Sequence, residues 1–196
     1  KEIDKILTWE YPEKELTKIE GKSSVSKLTK ETENEEIKVE LKKPKFLEGE
    51  LPLSKAEIGT TVHLVMQKLD FKQNYTIEKI EELLEELEQK GIIATKQKEA
   101  VPKQKILAFA QSQLFKEIGR AKKIYKEQPF YINIPVKELY ESKSNENILV
   151  QGIIDLYYIT ENEEIILVDY KTDYVPENKS SYLKEKYQSQ LNLYKR

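Results

Sequence analysis

The chain has 196 residues, enough for one domain with its own core and an additional segment. Its 35 acidic and 33 basic residues nearly balance, which excludes a globally basic protein, so any nucleic-acid contact has to come from a local patch. The absence of cysteine excludes disulfides and iron–sulfur clusters, and together with the lack of a signal peptide or membrane-length apolar run it leads us to expect a cytoplasmic protein with no membrane contact.

The first half of the chain is predicted to be helical. Residues 1–50 are highly charged and are expected to form a partly irregular lead-in, with a short helix at SSVSKLTK capped by Ser23 or Ser24. Apolar residues at helical spacing predict a helix within LSKAEIGTTVHLVMQKLDF, and TIEKIEELLEELEQKG predicts a second that starts at Thr76 and ends at Gly91. A third helical stretch is predicted from Lys103 to Tyr125.

The second half changes to β-branched and aromatic runs. PFYINIPV, ILVQGIIDLYYI and EIILVDYK predict three strands, and the short polar TENE between the last two predicts a hairpin. A final amphipathic helix is expected through SYLKEKYQSQLNLY. The order predicts an α/β or α+β domain, of which we expect the α/β class, with an antiparallel three-strand meander flanked by helices within residues 51–196.

Two aspartates are predicted to face each other across that hairpin. If the turn is centred on Asn162, paired residues have numbers that sum to 324, which places Asp155 opposite Asp169. Two such charges repel by roughly 3 kcal/mol at an effective dielectric constant of 20, so a shared proton, a cation or a metal ion is needed. Oxygen ligands beside Lys171 suit Mg²⁺ or Mn²⁺, although Asp-x-Lys alone is more often an ordinary ion pair.

Two further residues bear on this site. Gly152 interrupts a β-branched strand, which suggests that another part of the backbone approaches closely there. His63 is the single histidine, and although a lone helical histidine is more often structural, its imidazole suits Mn²⁺.

The ordered motifs resemble a known nuclease family. GTTVHLVMQ, KEQPF, GIIDLYY, LVDYKTD and YQSQLNLY follow one another as they do in the RecB-type branch of the PD-(D/E)XK nucleases. The resemblance is closest to the nuclease domain of the A subunits of AddAB-type helicase–nucleases, and it covers nearly the whole chain. It implies a restriction-endonuclease-like core, the last part of which is expected to be truncated because the chain stops near the end of the final helix.

The resemblance also implies roles for particular residues. His63, Asp155, Asp169 and the carbonyl of Tyr170 correspond to metal ligands, for which Mg²⁺ or Mn²⁺ is expected. Lys171 corresponds to the catalytic lysine, and Glu127 to an acidic residue that assists the site. In the final helix, Gln190 and Tyr194 match the Q-x-x-x-Y signature, and their spacing places them on one helix face.

The family resemblance implies a DNA exonuclease acting in double-strand-break repair. Helicase domains of the same parent chain would feed single-stranded DNA to it, and a second subunit of the AddB type would be a partner. Two alternatives remain open at this stage: a non-catalytic DNA- or protein-binding module, and a stand-alone nuclease. Basic residues that could contact phosphates, most of which we expect to be solvated, are Lys103, Lys105, Lys116, Arg120, Lys122, Lys123, Lys126, Lys184 and Lys186.

Overall fold

A computed structural model describes residues 7–11, 14–32, 52–172 and 180–195 of the chain. After a 3₁₀ turn at Lys14–Lys18, the helices are α1 (Val25–Thr32), α2 (Lys55–Lys68), α3 (Ile77–Gln89), α4 (Thr95–Ala100), α5 (Lys103–Ala110), α6 (Gln113–Gly119), α7 (Val136–Leu139) and α8 (Ser180–Tyr194). The strands are β1 (Lys22–Ser24), β2 (Lys123–Pro135), β3 (Asn147–Ile159) and β4 (Ile165–Val168).

Capping residues mark the first turns of several helices. Ser54 caps α2 with a capping box: its hydroxyl accepts the N–H of Glu57, and the Glu57 carboxylate accepts the N–H of Ser54. The hydroxyl of Thr76 accepts the N–H of Lys79 at the start of α3, as predicted. Past the end of α3, Gly91 has a φ of +66°, a backbone conformation that favours glycine. Ser24 rather than Ser23 accepts a backbone N–H at the start of α1.

The prediction of one helix from Lys103 to Tyr125 is wrong. Helix α5 ends at Ala110, and the hydroxyl of Ser112 accepts the N–H of Phe115 to begin α6. Helix α6 ends at Gly119, and residues 123–125 already belong to β2. The apolar residues keep a helical period across the break because both helices bury one face in the same core.

The four strands of the described residues form one mixed sheet. Strand β3 pairs with β2, with β4 and with β1. The β3–β4 pairing is antiparallel with Leu156 opposite Val168 and Ile159 opposite Ile165, so the predicted register is confirmed. The parallel pairing of β1 with β3 was not predicted, because Lys22–Ser24 has no apolar run that indicates a strand.

The chain divides into two compact units, each with its own apolar cluster. The first comprises residues 1–37, 129–153 and 179–196, and its buried side chains include Val25, Ile134 and Val150. The second comprises residues 38–128 and 154–178 and has the larger cluster, which combines buried side chains of α2, α3, α5 and α6 with Leu156 and Tyr158 of β3. Within the described residues, no helix has the length and apolarity needed to span a membrane.

Candidate metal centre

Three side chains of the second unit converge on one point. A nitrogen of His63 and carboxylate oxygens of Glu127 and Asp155 all lie within 4.8 Å of one another. His63 is supplied by the middle of α2, Glu127 by β2 and Asp155 by β3, so the group depends on three separate elements. All three side chains are partly buried, which limits the water available to screen their charges.

Asp155 is held in place by contacts to two other parts of this unit. Its Oδ1 lies 3.3 Å from Nδ1 of His63, and its Oδ2 accepts the backbone N–H of Tyr170 at 2.8 Å. The second bond links β3 to the residue that follows Asp169, just beyond the end of β4. Because the carboxylate has two fixed partners, its orientation is set before any ligand binds.

Glu127 is positioned by an unusual backbone. Its φ of +48° lies in the left-handed region, which non-glycine residues rarely adopt. Such a residue inside a strand changes the direction of its side chain relative to regular alternation. The same conformation at Glu163 lies in the turn between β3 and β4, whereas Glu127 lies within β2. Strain at a residue that contributes to a cluster of charges is typical of a functional site.

Asp155 helps to raise the pKa values of both of its partners in the group. A hydrogen bond to Asp155 raises the pKa of His63, although burial acts in the opposite direction. Burial, and then the charge of Asp155, raise the pKa of Glu127 above its ordinary range. The ionised form of the Glu127 carboxyl group is therefore destabilised, which is the condition that a bound cation relieves.

Asp169 and Lys171 form a second pair beside this group. Nζ of Lys171 lies 2.6 Å from Oδ2 of Asp169. Burial raises the pKa of Asp169, Lys171 lowers it, and the charge of Asp155 raises it again. The recorded β3–β4 pairing ends at Leu156 opposite Val168, one position before Asp155 and Asp169. Asp169 is nevertheless not part of the three-residue group described above, so its role as a metal ligand stays a prediction.

The donor set fits a divalent cation. Ligands of one octahedral Mg²⁺, bound at about 2.1 Å, are about 3 Å apart when adjacent and about 4.2 Å apart when opposite. A spacing of up to 4.8 Å is thus slightly wider than a coordinated ion requires, and small side-chain movements close it. One imidazole with several carboxylates suits Mn²⁺ as well as Mg²⁺. The ligand role predicted for the Tyr170 carbonyl also stays a prediction.

Gln190 and Tyr194 lie together in the first unit. Nε2 of Gln190 donates to the Tyr194 hydroxyl at 2.7 Å, and that hydroxyl lies 3.4 Å from the carbonyl of Ile153. Their predicted position on one face of the last helix is confirmed, whereas their catalytic role stays a prediction. The ring of Phe130 packs edge to face on Tyr194.

The close approach predicted at Gly152 is made by a side chain rather than by backbone. A Cβ atom there would lie 2.5 Å from a ring carbon of Phe130. The glycine therefore makes room for the ring that contacts Tyr194.

Several of the basic residues have structural partners. Lys103 pairs with Glu81, and Lys122 pairs with Glu163. The ammonium of Lys126 donates to the carbonyls of Gln67 and Leu69, and this lysine is half-buried rather than solvated. Contacts of the basic residues with DNA stay a prediction.

The family resemblance implied that Glu127 assists the site, and it did not include Glu127 among the metal ligands. Its position in the group depends on a local reversal of φ that no sequence pattern signals. The apolar side chains that line a cleft beside Lys171 were also missed, because the helical spacing of Met66, Ile106 and Phe109 is the same as that of ordinary core residues.

Comparison with known proteins places these features in a family. Residues 37–195 match the model of the PD-(D/E)XK nuclease superfamily. The chain is also similar to the A subunits of bacterial ATP-dependent helicase/nucleases. It is 39% identical to that of Clostridium beijerinckii, over 98% of the chain and 17% of the relative, and 36% identical to that of Ruminiclostridium cellulolyticum, over 100% of the chain and 16% of the relative. The chain therefore spans about a sixth of the length of the curated relatives it matches.

Proposed function

Because the chain belongs to the PD-(D/E)XK nuclease superfamily, we propose that it is a divalent-metal-dependent deoxyribonuclease domain that hydrolyses phosphodiester bonds. The observation that carries this proposal is the convergence of His63, Glu127 and Asp155 beside the Asp169–Lys171 pair. The mutual repulsion of these carboxylates has no structural benefit, and a cation that holds a phosphate explains why they are together.

His63, Asp155, Asp169 and the carbonyl of Tyr170 would hold Mg²⁺ or Mn²⁺, and Glu127 would add a further carboxylate to the site. The bound cation would polarise the scissile phosphate and lower the pKa of the attacking water. Lys171 orients that water and adds positive charge next to the phosphate. The hydrogen bond from the Tyr170 N–H keeps Asp155 oriented through the reaction.

The relatives suggest a larger context. They are named as subunits that combine helicase and nuclease activities, and this chain matches about a sixth of their length. We propose that helicase domains of the same parent chain feed single-stranded DNA to this site, where it acts as an exonuclease in double-strand-break repair. A second subunit of the helicase–nuclease is the expected protein partner. In this arrangement Gln190 and Tyr194 assist the nuclease from the final helix.

Degradation of a single-stranded oligonucleotide with Mg²⁺ or Mn²⁺ tests the nuclease proposal. We expect Lys171→Ala, Asp169→Ala and Asp155→Asn each to reduce the rate at least about 100-fold, because each removes a ligand or a charge used on the phosphate. Lys122→Ala is a matched control, because Lys122 is exposed and forms an ion pair with Glu163, which is not a residue of the proposed site. Equal rates for the wild type and all three site variants would rule out the assignment.

Calorimetric titration with Mn²⁺ separates the nuclease from a non-catalytic binding module. The nuclease proposal predicts one binding site that Asp155→Asn abolishes. A wild-type protein that binds DNA but no Mn²⁺ would support the module instead.

A further inference from the structure

An apolar cleft opens beside the Asp169–Lys171 pair in the second unit. Its volume is about 800 Å³, which lies in the range of small-molecule sites. Helix α2, helix α5 and the segment that follows β4 form its walls. The apolar side chains in the lining are Ala56, Ile58, Val62, Met66, Ala100, Pro102, Ile106, Phe109, Leu114 and Val168.

The charged residues in the lining favour an anionic ligand. Three lysines, Lys55, Lys105 and Lys171, line the cleft, against one carboxylate, Asp169. Lys171 pairs with that carboxylate, so Lys55 and Lys105 supply an excess of positive charge. Both of these lysines are exposed to solvent. A ligand that combines an apolar body with negative charge on one side matches this distribution.

The lining of the cleft includes two aromatic rings. Phe109 and Tyr170 both line the cleft and pack edge to face, with ring centroids 5.6 Å apart. The hydroxyl of Tyr170 is buried and has no hydrogen-bond partner within the described part of the chain. Because that oxygen is closed to solvent, the lining offers a ligand the aromatic surface of Phe109 rather than a hydrogen bond from Tyr170. A flat heterocycle would supply a ring that stacks there.

We propose that this cleft receives an unpaired nucleobase of the strand being cleaved, adjacent to the scissile phosphate. The inference rests on the proposed nuclease function and adds to it a binding site for one base of the substrate strand. The cleft lies next to the candidate metal centre, because Tyr170 lines the cleft and donates its N–H to Asp155. Asp169 and Lys171 also line the cleft, whereas His63, Glu127 and Asp155 do not. Lys55 and Lys105 contact the flanking phosphates of the same strand.

Single-strand preference follows from this arrangement. A base in a duplex is stacked and paired, and it must leave the helix before it can enter a protein cleft. An unpaired strand presents its bases without that step. The cleft therefore selects single strands by the conformation that it requires of the base, independently of sequence.

The test compares intact single-stranded oligonucleotides with versions that carry one abasic residue at successive positions. We expect the wild type to cleave the bond next to the abasic residue roughly tenfold more slowly, since one base stacking contact is lost. Ala100→Trp fills the cleft and Phe109→Leu removes the aromatic face. Both variants are expected to cleave the intact strand at the slower rate and to lose the difference between the two substrates.

Each variant has a matched control. Ala108→Trp places the same ring on the exposed side of α5, and Ala108 does not line the cleft. Phe115→Leu removes a ring that packs against Phe109 in the same aromatic cluster without lining the cleft. Both controls should keep the full discrimination. An Ala100→Trp variant that still discriminates against the abasic strand would overturn the proposal.

A binding assay keeps this inference separate from the nuclease proposal. In EDTA, fluorescence of a 2-aminopurine oligonucleotide reports stacking of its base on the protein without any cleavage. We expect quenching with the wild type that is lost in Ala100→Trp and retained in Ala108→Trp. Quenching without metal-dependent cleavage would contradict the nuclease and support the cleft. Cleavage with equal quenching in both tryptophan variants would contradict the cleft alone.

Discussion

Glu127→Gln is expected to stabilise the metal-free protein and to weaken metal binding. The carboxylates of Glu127 and Asp155 have oxygens within 4.8 Å. At that separation two full charges repel by about 3.5 kcal/mol for an effective dielectric constant of about 20. Glu127 is partly exposed and the positive charge of His63 offsets part of the repulsion, so we expect a net gain of about 1 kcal/mol in the free energy of unfolding.

The stabilisation expected from Glu127→Gln depends on pH. Burial and Asp155 raise the pKa of Glu127 above its ordinary value of 4.5. The folded state therefore holds the Glu127 proton more tightly than the unfolded state does, and the penalty appears as the pH rises through the raised pKa. The advantage of Glu127→Gln should be present at about pH 7.5 and absent near pH 4, where both states are protonated.

Urea unfolding followed by circular dichroism, with EDTA and then with Mn²⁺, measures both effects. Mn²⁺ at about 100 times its dissociation constant should add about 2.7 kcal/mol to the wild type. If the variant loses at least tenfold in affinity, its stabilisation by Mn²⁺ falls by about 1.3 kcal/mol or more. Glu163→Gln is the control, because Glu163 shares the positive φ but lies in the hairpin turn. A variant that is no more stable in EDTA and keeps the full Mn²⁺ gain would refute the reasoning.

Three further predictions concern the second unit. Tyr170→Phe removes a buried hydroxyl without a partner among the described residues and should raise the free energy of unfolding by about 1 kcal/mol in urea titrations. Gly119→Ala should lower the free energy of unfolding by about 2 to 3 kcal/mol in the same assay, because its Cβ would lie 2.3 Å from the backbone oxygen of Phe71. Gly21→Ala is the control in the first unit: its Cβ would meet no atom within 4 Å, so the free energy of unfolding should change little. The affinity for Mn²⁺, measured by calorimetry, should increase from about pH 6 to about pH 8, because the hydrogen bond to Asp155 raises the pKa of His63 and its proton competes with the metal.

The sequence predicted those parts of the fold that depend on local patterns. The family and the α/β class are confirmed, and so is the β3–β4 register, because a polar four-residue connection allows few alternatives. The break at Ser112 was missed because apolar periodicity continues through it, and the capping potential of a single serine is a weak signal. Strand β1 was missed because its three residues are held by a parallel partner distant in sequence.

The geometry of the metal centre depends on features that contradict local preferences. Within the described residues, two non-glycine residues have a positive φ: Glu163 is explained by its turn, whereas Glu127 lies inside a strand. Two buried side-chain polar atoms lack a hydrogen-bond partner within the described residues, and one of them is the hydroxyl of Tyr170. Burial raises the pKa of the neighbouring Asp169. Natural proteins violate local rules mainly where function requires it.

These exceptions are linked, which a purely structural explanation does not account for. The backbone of Tyr170 binds Asp155, and Asp155 raises the pKa of Glu127. A fold selected only for stability would remove each of them by a single substitution, with Gln at Glu127 and Phe at Tyr170. Their presence in one connected group is explained if a cation completes it, because the cation then supplies the positive charge that the free protein lacks.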